Sequence, residues 1–98
     1  MKTLETNAPE LLQSFEHAGI HYQLRTPLTV AVDYNDRIWV YHNADLNLWG
    51  YGERREDALS DLHANLAYLW REFAEEKDER LDAKALLLKK RLLALVKK

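Results

Sequence analysis

The chain has 98 residues, 47% of them hydrophobic and 31% charged, which is the usage of a folded chain and enough for one domain over residues 1–98. Fourteen Lys and Arg against sixteen Asp and Glu leave a formal net charge of -2, which disfavours a nucleic-acid binder working through global charge. The absence of cysteine excludes disulfides, thiol nucleophiles and Cys-ligated metal centres and fits a reducing cytosol.

The opening residues Met1-Lys2-Thr3-Leu4-Glu5 lack the apolar core of a signal peptide, and no stretch reaches the apolar length needed to cross a bilayer. A cytoplasmic protein with no membrane partner is therefore expected. Asn7-Ala8-Pro9-Glu10 reads as a helix start, with Asn7 as cap and Glu10 completing a capping box. Leu11, Leu12, Phe15 and Ala18 follow at helical spacing and Gly19 supplies a left-handed stop, predicting a short N-terminal helix over about residues 8 to 18. The separation of His17 and His21 by that stop removes the geometry of a paired helical metal ligand.

From Ile20 to Gly52 the period becomes two, and a meander of three or four antiparallel strands is expected. Pro27 interrupts it, leaving Tyr22 to Thr26 at best an edge strand. Asn35-Asp36 reads as a hairpin turn before a strand from Arg37 to His42. His42-Asn43-Ala44-Asp45 forms the next turn, and Leu46 to Tyr51 the last strand. Leu59, Leu62, Leu66, Leu69, Trp70 and Phe73 then mark a long amphipathic helix over about residues 55 to 77, packed on the sheet. Crowded acids at 75, 76, 78 and 79 disfavour its continuation. Asp82 can cap a leucine-rich C-terminal helix over about residues 83 to 96, whose apolar stripe is wide enough for contacts on two sides. The expected class is α+β.

No catalytic machinery is visible. Asp33-Tyr34-Asn35-Asp36-Arg37 lacks the glycine and the bidentate Glu of a calcium loop. Ser14 and Ser60 have no glycine elbow, and Gly50-Tyr51-Gly52 lacks the third glycine and the lysine of a phosphate loop. The four histidines show no converging ligand pattern, so neither enzyme activity nor a cofactor or metal is expected.

The strands themselves are more informative. Trp39 and Tyr41 alternate with Ile38, Val40 and His42, and Trp49 and Tyr51 alternate with Leu46, Leu48 and Gly50, predicting one aliphatic and one aromatic sheet face. Trp39, Tyr41, Trp49 and Tyr51 are the candidate partner-binding residues, because Trp and Tyr commonly anchor protein interfaces. Cover by the chain's own helices competes with that reading, and base stacking ranks lower because Arg25 and Arg37 are the only nearby strand cations. The C-terminal stretch is separately basic. Residues 71 to 82 hold six acids and three bases, whereas 83 to 98 hold six bases and no acid, so Lys84, Lys89, Lys90 and Arg91 are candidate nucleic-acid contacts in the alternative reading.

Leu48-Trp49-Gly50-Tyr51-Gly52-Glu53-Arg54-Arg55-Glu56-Asp57-Ala58-Leu59 resembles the strand-to-helix junction of HicB-like antitoxins, and the likeness extends over about residues 28 to 75. The resemblance implies a partial ribonuclease-H-like sheet and a non-catalytic protein that binds and neutralises a small RNA-cleaving toxin. A homo-oligomer with a small basic protein partner is the corresponding expectation. Arg54 stands where the family usually has a threonine cap, and the Pro-containing segment before the last strand is replaced by Asn43-Ala44-Asp45-Leu46-Asn47. No ribbon-helix-helix or helix-turn-helix module follows Phe73, so operator binding is not implied.

Overall fold

A computed structural model describes residues 8–97 as an α+β fold. Strands β1 (Glu10–His17), β2 (Ile20–Asn35), β3 (Ile38–Asn43) and β4 (Leu48–Gly52) form an antiparallel meander in sequence order. Helix α1 (Arg55–Leu69) continues into a π-helical turn, Trp70–Ala74, and a short 3-10 turn, Asp78–Arg80, leads to α2 (Ala83–Leu95). A two-residue strand β5 (Val96–Lys97) then pairs with β2 through Gln23↔Lys97 and Leu24↔Val96.

The expected N-terminal helix is a strand, and its proposed cap Asn7 lies outside the described residues. The misleading signal is the three-residue spacing of Leu12 and Phe15, both buried. In a regular strand those positions would face opposite ways. Here the β1–β2 register shifts between Leu12 and Ser14, and the irregularity returns both side chains to the core, reproducing a helical spacing in extended backbone. Gly19 does adopt positive φ (81°), but with Ala18 (53°) it turns a hairpin between paired His17 and Ile20.

Pro27 also has a different consequence from the one expected. β2 runs through it, and the register irregularity with β1 spans residues 24 to 27, where no regular ladder bond to β1 is needed. Within Tyr22 to Thr26, Gln23 is not at an edge, since β1 lies on one side of it and β5 on the other. The next turn sits one residue later than expected, at Asp36 (φ 53°) and Arg37 (φ 66°) between paired Asn35 and Ile38.

Both helices lie on one face of the sheet. Ala58, Leu62 and Leu66 recur every fourth residue along α1 and are buried against it, with Leu59, Leu69 and Phe73 partly buried beside them. The close approach depends on two glycines in β4. A Cβ on Gly50 would stand 2.4 Å from the Ala58 carbonyl oxygen, and one on Gly52 would stand 2.4 Å from the Ala58 nitrogen. Phe15 stacks on Tyr22 (centroids 4.5 Å, planes 7° apart), and Trp70 meets Tyr22 from the π-helical turn.

Asp82 caps α2 by accepting from the Ala85 N–H at 2.8 Å. Only Leu92 of α2 is fully buried, while Leu87 is 63% exposed and Leu93 37%, so the wide leucine stripe is packed on one side only among the described residues. No helix of the described residues is long and apolar enough to cross a membrane.

Candidate interaction surface

Strand register decides which side chains share a face. Asn43 pairs with Leu48, leaving a four-residue loop, so odd positions of β3 stand opposite even positions of β4. Trp39 therefore pairs with Gly52 and Tyr41 with Gly50, whereas Val40 pairs with Tyr51 and His42 with Trp49. The four aromatics expected to share one face are divided between two. Trp39 and Tyr41 lie on the helix-covered face with Leu48, and Trp49 and Tyr51 lie on the other with Val40 and His42.

On the covered face Trp39 and Tyr41 are structural. Tyr41 is buried and its hydroxyl donates to Glu10 Oε2 at 3.3 Å. Arg55 pairs with the same carboxylate, donates to the Tyr41 hydroxyl at 3.4 Å, and sits over the Trp39 ring at 5.0 Å. Hydrogen bonding to Tyr41, with Glu10 adding to it, shifts Arg55 further toward its charged form. At the helix start Arg54 has no side-chain cap to offer the backbone and instead pairs with Asp57 at 3.1 Å, which lowers the Asp57 pKa. Asn43, the one buried polar side chain among the described residues, donates to the Thr29 carbonyl at 2.9 Å and accepts from the Leu46 N–H at 2.8 Å, holding the β3–β4 loop.

The opposite face is uncovered among the described residues. His42 stacks on Trp49 (centroids 3.7 Å, planes 19° apart), and Trp49 is nearly parallel to Tyr51 at 6.0 Å. Trp49 is 38% exposed and Tyr51 53%. His42 was absent from the sequence candidates. The signal that finds it is cross-strand pairing: as a non-hydrogen-bonded partner of Trp49 it belongs to the pair type with the closest side chains. A shallow hollow of about 260 Å³, lined by Thr29, Ala31, His42, Asn43, Ala44 and Asp45, adjoins this aromatic row. Exposed Asp45 lines it, and exposed Asp33 pairs with Val40 farther along the same face.

The 3.7 Å contact of His42 and Trp49 leaves no gap for another ring between them.

The outer edge of β4 is closed. The Tyr51 N–H donates to Asp61 Oδ2 at 2.9 Å and the Trp49 carbonyl accepts from Asn65 Nδ2 at 2.7 Å. These two α1 residues, one turn apart, occupy backbone groups that would otherwise pair with another strand. On the opposite flank of α1, His63 Nδ1 accepts the Glu16 N–H of β1 at 3.1 Å.

Three of the four basic candidates, Lys84, Lys90 and Arg91, line one hollow on α2 with Leu87 and Leu88, and Lys89 is drawn away from it. Lys89 pairs with Asp78 at 2.7 Å and donates to the Glu76 carbonyl, and Arg91 donates to the Asp45 carbonyl at 2.8 Å, while Lys84 and Lys90 are exposed on α2. Among the described residues no three His, Asp or Glu side chains are grouped to hold a metal ion. No family model matches the chain, and neither a curated protein nor a solved structure does.

Proposed function

We propose that this chain is a non-catalytic interaction protein of the HicB-like antitoxin type, which holds and neutralises a small basic RNA-cleaving toxin. The supporting observation is the sheet face uncovered among the described residues, where Val40, His42, Trp49 and Tyr51 form a row beside a hollow lined in part by Asp45, with Asp33 paired to Val40 on the same face. Trp49 and Tyr51 are the anchors of this reading; Trp39 and Tyr41 serve it indirectly by seating α1 beneath the sheet. The closed β4 edge favours recognition by a sheet face over strand addition. Homo-oligomerisation is compatible with the same surface, and the exposed leucines of α2 offer a second place for it.

The test is an affinity pull-down of the tagged chain from its native host at moderate salt, compared with Trp49→Ala and with Tyr68→Ala, an exposed aromatic on α1. Stoichiometric retention of one small basic protein, lost with Trp49→Ala and kept with Tyr68→Ala, supports the reading if that protein cleaves RNA and the chain stops it. Equal retention by both variants overturns the assignment of the face. Retention of nucleic acid alone, weakened by Lys84→Ala and Lys90→Ala and by salt, favours the alternative of a nucleic-acid-binding regulator using α2.

A further inference from the structure

We propose that His63 is a latch that ties the outer edge of β1 to α1 while its imidazole is neutral and releases that edge when the ring takes up a proton. The Glu16 backbone N–H can only donate, so Nδ1 must be unprotonated to accept it at 3.1 Å. The neutral ring then carries its proton on Nε2, which is buried and has no hydrogen-bond partner. A second proton would have to enter at Nδ1, breaking the bond to β1 and leaving a cation with no acceptor at either nitrogen.

The surroundings offer little compensation. The cleft of about 260 Å³ beside His63 is lined by β1, by Val30, by Tyr41 of β3 and by Leu59 of α1. Its titratable groups are Glu10, already engaged by Arg55 and Tyr41, and Tyr41 itself. The Glu16 carboxylate faces His21 of β2 at 3.2 Å. Burial is the largest influence on His63 and lowers its pKa, against a smaller opposing attraction from Glu16.

The two edges clamped by α1 thus differ in chemistry. Asp61 and Asn65 hold β4 with a carboxylate and a carboxamide, groups that do not ordinarily titrate near neutrality, whereas β1 is held by an imidazole that does. Acid frees the Glu16 N–H of β1 for strand pairing, while the Arg55–Glu10 pair keeps the start of the strand on α1.

Amide hydrogen exchange on the full chain between about pH 7.5 and 5.5, corrected for intrinsic rates, tests this directly. Protection of the Glu16 N–H is expected to fall by up to about tenfold per pH unit below about 6.5, while that of the Tyr51 N–H holds. His63→Asn, whose amide oxygen can accept in place of Nδ1 without titrating, is expected to flatten the Glu16 profile, and it leaves the His21–Glu16 pair in place as a control. Imidazole nitrogen shifts of the wild-type chain should show the Nε2–H tautomer at the upper pH. Parallel loss of protection at Glu16 and Tyr51, a His63→Asn profile as steep as wild type, or an Nδ1–H ring would each overturn the latch. Where the variant does not fold, the ring shifts and the ratio of the two wild-type protections still decide.

Discussion

The two faces of the β3–β4 hairpin are built from alternate residues of the same short strands, yet they obey different constraints. On the covered face Gly50 and Gly52 remove side chains where Ala58 of α1 must approach, and Tyr41 and Leu48 fill the remaining space. On the uncovered face bulk is tolerated at every position, and His42, Trp49 and Tyr51 stack on one another. A tryptophan beside a glycine in one strand is thus a statement about two environments. It teaches that aromatic content alone does not locate an interaction surface; cross-strand register does.

The contrast can be challenged by substitution. Phe15→Ala, which empties a fully buried position beneath Tyr22 and Trp70, should cost about 3–5 kcal/mol in urea unfolding; a much smaller loss would show that β1 does not belong to the core. Gly50→Ala should cost about 3 kcal/mol, because the atoms met by the new Cβ are helix backbone at Ala58 and Leu62 and cannot rotate away. Asp82→Ala removes the α2 cap and should cost about 1 kcal/mol, read from the same transition. On the uncovered face Tyr51→Ala should change stability by only about 0.5 kcal/mol while weakening partner capture, and a loss as large as that of Gly50→Ala would erase the distinction between the faces.

Acidification sharpens the same picture. The folded chain keeps His63 neutral below its ordinary pKa, so the unfolded chain binds a proton first as pH falls. The contribution of His63 is fully present above about pH 6.5 and is lost as pH drops from there toward the lowered folded value. Urea midpoints compared between wild type and His63→Asn should diverge on the acid side only.

Periodicity alone was sufficient for several elements. Residues 55 to 69 carry a full helical stripe, Asp82 stands where a cap is needed, and the period of two after Ile20 places Leu28, Val30 and Val32 in one buried row. These features are local, and their energetics depend on neighbours one turn or two residues away. The first strand misled because its register irregularity converts an alternating pattern into spacing three, a change visible only once β2 is alongside. The hairpin turn at Asp36 and Arg37 was displaced by one residue for the same reason, since Asn35-Asp36 and Asp36-Arg37 both suit a tight turn until the strands are paired.

The candidate surface was legible in half. Trp49 and Tyr51 lie on the uncovered face, but their grouping with Trp39 and Tyr41 required a register that one loop residue more or fewer would have reversed. His42, the capping of β4 by Asp61 and Asn65, and the bond from Glu16 to His63 had no local signature, because each joins residues that are distant in sequence or in different elements. The amino-acid sequence by itself determined which segments are apolar, where long helices run and how α2 begins. The tertiary structure alone decided which side chains share a face and which strand edges are closed, because both depend on pairing between segments whose own local preferences leave the register open.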